Sequence, residues 1–157
     1  MLRSPDVQVS RVIVCDPNTS ALTIPITINT KDESIETTAL IDCGAEGTFI
    51  HKELVKQHQL PTYALNRPII ARNVDNTINK EGVITRYTKL NLGLNTIDEQ
   101  LLITNTDKSP IILGLPWLKQ VNPQIDWANG SIELPELPEH ILQSLAISKV
   151  TFATTLA

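Results

Sequence analysis

Cysteine is scarce in this 157-residue chain, and Cys15 and Cys43 alone cannot supply the bridges that staple small extracellular domains. The two thiols could pair, but nothing else points to an oxidising compartment, so a reduced pair is expected. His51, His58 and His140 have no metal-ligand spacing with one another or with the cysteines, so neither a metal nor a cofactor is expected. The longest apolar runs, Ile111 to Leu115 and Val12 to Cys15, fall far short of the ~20 residues that cross a bilayer. No membrane partner is therefore expected, and no basic segment followed by an apolar stretch marks a secretory signal. Basic residues form no stripe: 17 acidic and 13 basic residues are spread evenly, for a formal charge of −4, which argues against a nucleic-acid partner. No internal repeat is present.

What the chain does have is a globular composition, 41% hydrophobic and 19% charged, at the length of one ordinary domain. Proline and glycine cut its middle into short segments. Leu22 to Asn29 alternates apolar and polar residues, the period of a half-buried strand, and Pro25 within it marks an edge strand or a bulge. Thr37 to Ile41 reads as a second strand. His51 to Gln59 reads as a helix, with Ile50, Leu54 and Val55 on one side and Pro61 as its stop. Pro68 to Val74 and the run from Thr77 to Leu92, joined by Asp75-Asn76, predict a hairpin. A strand at Gln100 to Thr104 and a polar loop follow. Pro116 then opens a helix over Trp117 to Val121, and a last hairpin runs from Ile125 to Leu134. Many short strands with turn signals predict a small all-β barrel or sandwich carrying two short helices. The domain is expected over residues 11–134, after a flexible segment 1–10 and before a linker or tail 135–157 in which 140–149 has weak amphipathic helical character.

Chemistry concentrates in Ala39-Leu40-Ile41-Asp42-Cys43-Gly44-Ala45. An acid directly after an apolar strand is costly to bury, so it requires a hydrogen-bonding cradle or a functional role. Gly44 lets the backbone turn tightly and bring its N–H near the carboxylate, and Ala45 leaves room above it. Asp-x-Gly is a common tripeptide that by itself also fits a strand end capped by its own aspartate. The context adds to it: Phe49-Ile50 and a helix follow, and some seventy residues later Ile111-Ile112-Leu113-Gly114 opens a second helix.

With these two motifs at this spacing the sequence resembles the retropepsins, whose pattern is two hydrophobic residues, Asp-Thr/Ser-Gly-Ala, and a later hydrophobic pair with Gly before a helix. Leu113-Gly114-Leu115-Pro116-Trp117-Leu118, then Asn122-Pro123 and Ile125-Asp126-Trp127, resembles the gypsy-like retrotransposon branch in particular. The likeness spans about residues 11–134. It implies a retropepsin-like acid-protease barrel with one lobe per chain, and an aspartic endopeptidase that cleaves its parent Gag-Pol-type polyprotein. Such proteolysis uses two carboxylates about 3 Å apart that share one proton. A chain with one Asp-x-Gly-Ala segment can supply both only across a two-fold axis, so a homodimer with Asp42 from each subunit is expected.

The resemblance also suggests roles around Asp42. Cys43 stands where retropepsins keep Thr or Ser, whose hydroxyl bonds across the dimer axis, and a thiol is the weaker donor. Cys43, Gly44 and Ala45 are thus expected to support the site. Glu46 falls where retroviral enzymes carry a substrate-binding Asp, although it also fits a solvated turn. Val74, Asp75, Asn76 and Thr77 match the flap that closes over the peptide, and equally an ordinary surface hairpin. Trp117 and Trp127 read as core or dimer-contact residues. Gly114-Leu115-Pro116 departs from the Gly-Arg-Asn/Asp of retroviral enzymes, so their Arg-centred contacts do not carry over. Asp126 lacks a following glycine and is rejected as a second catalytic acid. The location expected is cytoplasmic, within a virus-like particle if the parent element is active. Two other readings stay open: a catalytically weak or inactive retropepsin-like module for dimerisation or peptide binding, favoured by Cys43, and a domesticated or ubiquitin-shuttle-associated retropepsin-like protease.

Overall fold

Alternating apolar residues decide how this chain folds. A computed structural model describes residues 10–14, 21–72 and 78–135. They form ten strands and two helices: β1 (Ser10–Val14), β2 (Thr23–Asn29), β3 (Ser34–Ile41), β4 (Phe49–His51), α1 (Lys52–Gln57), β5 (Tyr63–Arg72), β6 (Ile78–Leu90), β7 (Glu99–Thr104), β8 (Ile111–Leu113), α2 (Leu115–Val121), β9 (Gln124–Asp126) and β10 (Ser131–Pro135). The expected all-β class with two short helices is what the structure shows.

In β2 the residues Ile24, Ile26 and Ile28 point inward and are at most 4% exposed. They lie opposite Ala39, Thr37 and Ile35 of antiparallel β3. Pro25 pairs in regular register with Thr38, so the edge-strand alternative is the one realised and no bulge is needed. Its missing N–H costs no ladder bond there.

The larger sheet has the order β2-β3-β8-β4-β7-β6-β5, and a smaller one has the order β1-β10-β9. The large sheet curls until its first strand meets the segment after β6. Thr27 N donates to Leu92 O (3.4 Å) and Asn29 N to Asn91 O (3.0 Å). These bonds turn the sheet toward a barrel and cover a sheet edge. Gly93 makes the approach possible: its φ is +75°, and a Cβ there would sit 3.0 Å from Thr27 O. Ile24, Ile28, Ile50, Leu101, Ile111, Leu113, Trp117 and Ile132, each at most 1% exposed, fill the interior.

Several boundaries differ from expectation. His51 belongs to β4, because its N–H donates to Pro110 O (2.8 Å), so α1 starts at Lys52. The helix ends by a left-handed residue, Gln59 (φ 50°), before Pro61 is reached. The hairpin arm β5 starts at Tyr63, well before Pro68. Its base is clipped by Arg86, which donates from Nε to Thr62 Oγ1 (3.0 Å) and from Nη2 to Thr62 O (3.1 Å). β1 is a strand beyond those expected from the sequence. Its Ser10 pairs with Pro135. Trp117 is core, at 1% exposed, whereas Trp127 is 58% exposed and leaves the core alternative. Asp126 serves the local turn. Its carboxylate accepts from Asn129 N (3.1 Å) and Asn129 Nδ2 (2.7 Å), closing the β9–β10 connection. Those bonds, the side-chain one first, hold its pKa below the ordinary 3.8. Cys15, the residues 74–77 expected as a hairpin tip and the segment 140–149 lie outside the described residues.

Candidate active site

β3 and β4 are consecutive in the chain but do not touch in the sheet. β8 lies between them, parallel to β3 (Ala39 with Ile111, Ile41 with Leu113) and antiparallel to β4 (Ile50 with Ile111). The connection 42–48 must therefore pass over the end of β8. That connection carries Asp42, Cys43, Gly44, Ala45 and Glu46.

Each turn of the loop has a bond that fixes it. Asp42 N donates to Leu113 O (3.0 Å), extending the β3–β8 ladder by one residue. Gly44 N donates to the carboxylate of Asp42 at Oδ1 (2.9 Å), which is the cradle the sequence called for. Ala45 N donates to Asp42 O (3.1 Å), and Leu115 N at the start of α2 donates to Ala45 O (2.8 Å). Gly114 lies under the loop. A Cβ on it would fall 2.1 Å from Gly47 O and 2.6 Å from Ala45 O, so no larger residue fits this crossing. In the sequence Gly114 reads only as part of a motif that opens a helix, and this steric role is hidden. Its signal lies in the hydrophobic-hydrophobic-Gly pattern, but the partner carbonyls are about seventy positions away.

Asp42 is half-buried, and Cys43, Gly44 and Glu46 are exposed. Cys43 carries a free thiol. The acid thus rises from an apolar floor, with Ile41 at 4%, Ile111 at 0% and Leu113 at 0% exposed, into an accessible loop. One of its oxygens, Oδ1, is held by a backbone donor. Of the expected flap, Val74, Asp75, Asn76 and Thr77 lie outside the described residues. Its two arms are described, and Ile70 and Val83, paired across them, are each 52% exposed. Among the described residues no cluster of three or more His, Cys, Asp or Glu could hold a metal ion. No described helix is long and apolar enough to cross a membrane.

The chain is similar to a retropepsin-like aspartic protease from Rickettsia conorii, at 16% identity and a TM-score of 0.55, over 82% of this chain and 92% of that one. That likeness bears on the fold. It is also similar to the retroviral protease-like domain of Ddi1 from Leishmania major, at 20% identity and a TM-score of 0.43, over 78% of this chain and 97% of that one. A family model described as PEG10/RTL1 protease domain matches residues 38–138, from the strand before Asp42 to just beyond β10. With well over half its length matched, the chain belongs to the PEG10/RTL1 protease domain family and is a retropepsin-type protease domain of gypsy-like retrotransposon origin.

Proposed function

We propose that the domain is an aspartic endopeptidase that processes its parent polyprotein as a homodimer, with one Asp42 from each subunit. The observation that supports this reading most directly is the Asp42 carboxylate, anchored by Gly44 N on an exposed loop over an apolar floor. Two such loops facing each other across a two-fold axis bring two carboxylates to about 3 Å, where they hold a single proton between them. The dyad then titrates as a unit. The ionised member takes a proton from a water that attacks the scissile carbonyl. The protonated member hydrogen-bonds that carbonyl and later protonates the leaving amine.

In this reading Glu46, exposed on the same loop, lines the cleft. The hairpin tip Val74-Asp75-Asn76-Thr77 closes over an extended peptide and excludes water. Water is the nucleophile, so the scheme calls for no cofactor. The setting proposed is the cytoplasm, or a virus-like particle when the parent element is active.

Incubation of the chain with a longer precursor at mildly acidic pH, with and without pepstatin, tests this beside Asp42→Asn. Cleavage that pepstatin blocks is expected from the native protein, with a loss of about a thousandfold or more in the variant. Equal processing by both proteins would remove Asp42 from the chemistry. The competing reading, a dimerisation or peptide-binding module without catalysis, draws on the exposed thiol of Cys43 where a hydroxyl is expected. Cys43→Thr restores the stronger donor, and activity is expected to hold or rise through a firmer interface. A clear fall in turnover with an unchanged melting profile would contradict that role.

A further inference from the structure

Away from the Asp42 loop, another acid is buried among the strands. Glu99 opens β7 and is only 8% exposed. It lies opposite Leu90 of β6 (4% exposed) and on the same face as Leu101 (0%). Among the described residues its Oε2 has no hydrogen-bond partner, and neither has Oγ1 of Thr88, a fully buried residue diagonal to it across the ladder. The hydroxyl therefore does not solvate the carboxyl. Asn95 does so in part: its Oδ1 already accepts from Ile97 N (2.8 Å), which leaves its NH₂ for Glu99. An ionised carboxylate with one bare oxygen in an apolar core is expensive.

Among the described residues no cation offsets it. Burial raises its pKa above the ordinary 4.5 most strongly, Asn95 opposes that, and the charge of Asp98 adds to the rise. β7 packs against β6, β4 and α1. On β6, Lys80 and Glu81 sit at the far end, Arg86 is bound to Thr62, Tyr87 stacks near Tyr63, and Lys89 pairs with Gln100 on the opposite face. His51 of β4 accepts from Thr106 N, and β4 meets β7 only from Leu102 to Thr104. His51 and the α1 residues Lys52, Glu53 and Lys56 are not among the influences on Glu99.

We propose that Glu99 is a proton-operated latch on the β5–β6–β7 part of the domain. Neutral, its carboxyl stays in the core and β7 keeps its full ladder with β6. Ionised, it draws the Leu90–Glu99 junction toward water and slackens β6, which continues without a break into the β5–β6 arm. The device does not depend on dimer formation or on Asp42.

Linkage gives the sign. A group that binds its proton more tightly in the folded chain supports folding fully below its unfolded value of 4.5, and that support disappears as pH rises through the folded value. The test uses the full chain carrying Asp42→Asn, so that the proposed dyad does not titrate. Amide exchange in β6 and β7, corrected for intrinsic rates, is followed from about pH 4 to about pH 8. Protection is expected to fall severalfold as pH rises, and to stay level when Glu99→Gln is added. The carboxyl carbon shift of Glu99, read in the protein without that second change, should show a midpoint above 4.5. A midpoint at or below that value would overturn the latch, as would the same loss of protection in the Gln variant. If that variant does not fold, the carboxyl titration decides alone.

Discussion

Alanine at Gly114 is expected to destabilise the domain by about 3 kcal/mol or more, lowering the melting temperature by about 10 °C. The added methyl would fall 2.1 Å from one backbone carbonyl and 2.6 Å from another. Neither can swing aside as a side chain would. Ala45 O is bonded to Leu115 N, and Gly47 sits between that turn and Thr48, whose own carbonyl accepts from Leu102 N (2.8 Å). Relief would require the loop to lift off β8, which breaks the Asp42 N bond to Leu113 O and moves the carboxylate. Any variant that still folds should therefore lose proteolysis more completely than it loses stability. Glu46→Ala, on the exposed side of the same loop, is the control for stability and should stay within about 0.5 kcal/mol. A Gly114→Ala protein that melts with the native chain would show that the crossing is not tight.

The second large effect concerns stoichiometry. Native subunits mixed with a ninefold excess of Asp42→Asn subunits should cleave a precursor about ten times more slowly than the same amount of native protein alone. With random pairing, about one native subunit in ten finds a native mate, and a mixed pair has one carboxylate and one amide. An amide cannot share the proton or activate the water, so the mixed pair is expected to be inactive. Sedimentation run on the same mixtures checks that pairing occurs. Unchanged turnover in the presence of excess variant would show that a single chain holds a complete site.

Much of this is legible in the residues because the relevant signals are local. The alternation in Leu22 to Asn29 is a two-residue period, and the missing N–H of Pro25 narrows that strand to an edge or a bulge. The Gly44 bond to Asp42 spans two positions. The crossing cannot be read in that way. β8 has only three residues, and nothing in Ile111-Ile112-Leu113 says that it enters between strands from the other end of the chain. β1 escapes for the same reason, since its partner β10 lies more than a hundred positions on. Glu99 falls outside the expected strand because an acid next to Asp98 resembles a turn. Its place opposite Leu90, in the ladder of β7 with β6, is revealed only by the three-dimensional structure. The flap expectation for 74–77 remains a reading of sequence, while the Arg86 clip at the base of its arms is visible only in the structure.

The insertion of β8 also imposes an order on biosynthesis. A ribosome releases Asp42 long before it releases Leu113 and Gly114, so the Asp42 loop lacks the β8 part of its floor and its β8 ladder neighbour while the intervening segment is being made. Pairing across such a gap is slow relative to local hairpins. The acid is thus kept without its setting until the domain is nearly complete, and a prematurely terminated translation product lacking β8 would contain the motif but not the site.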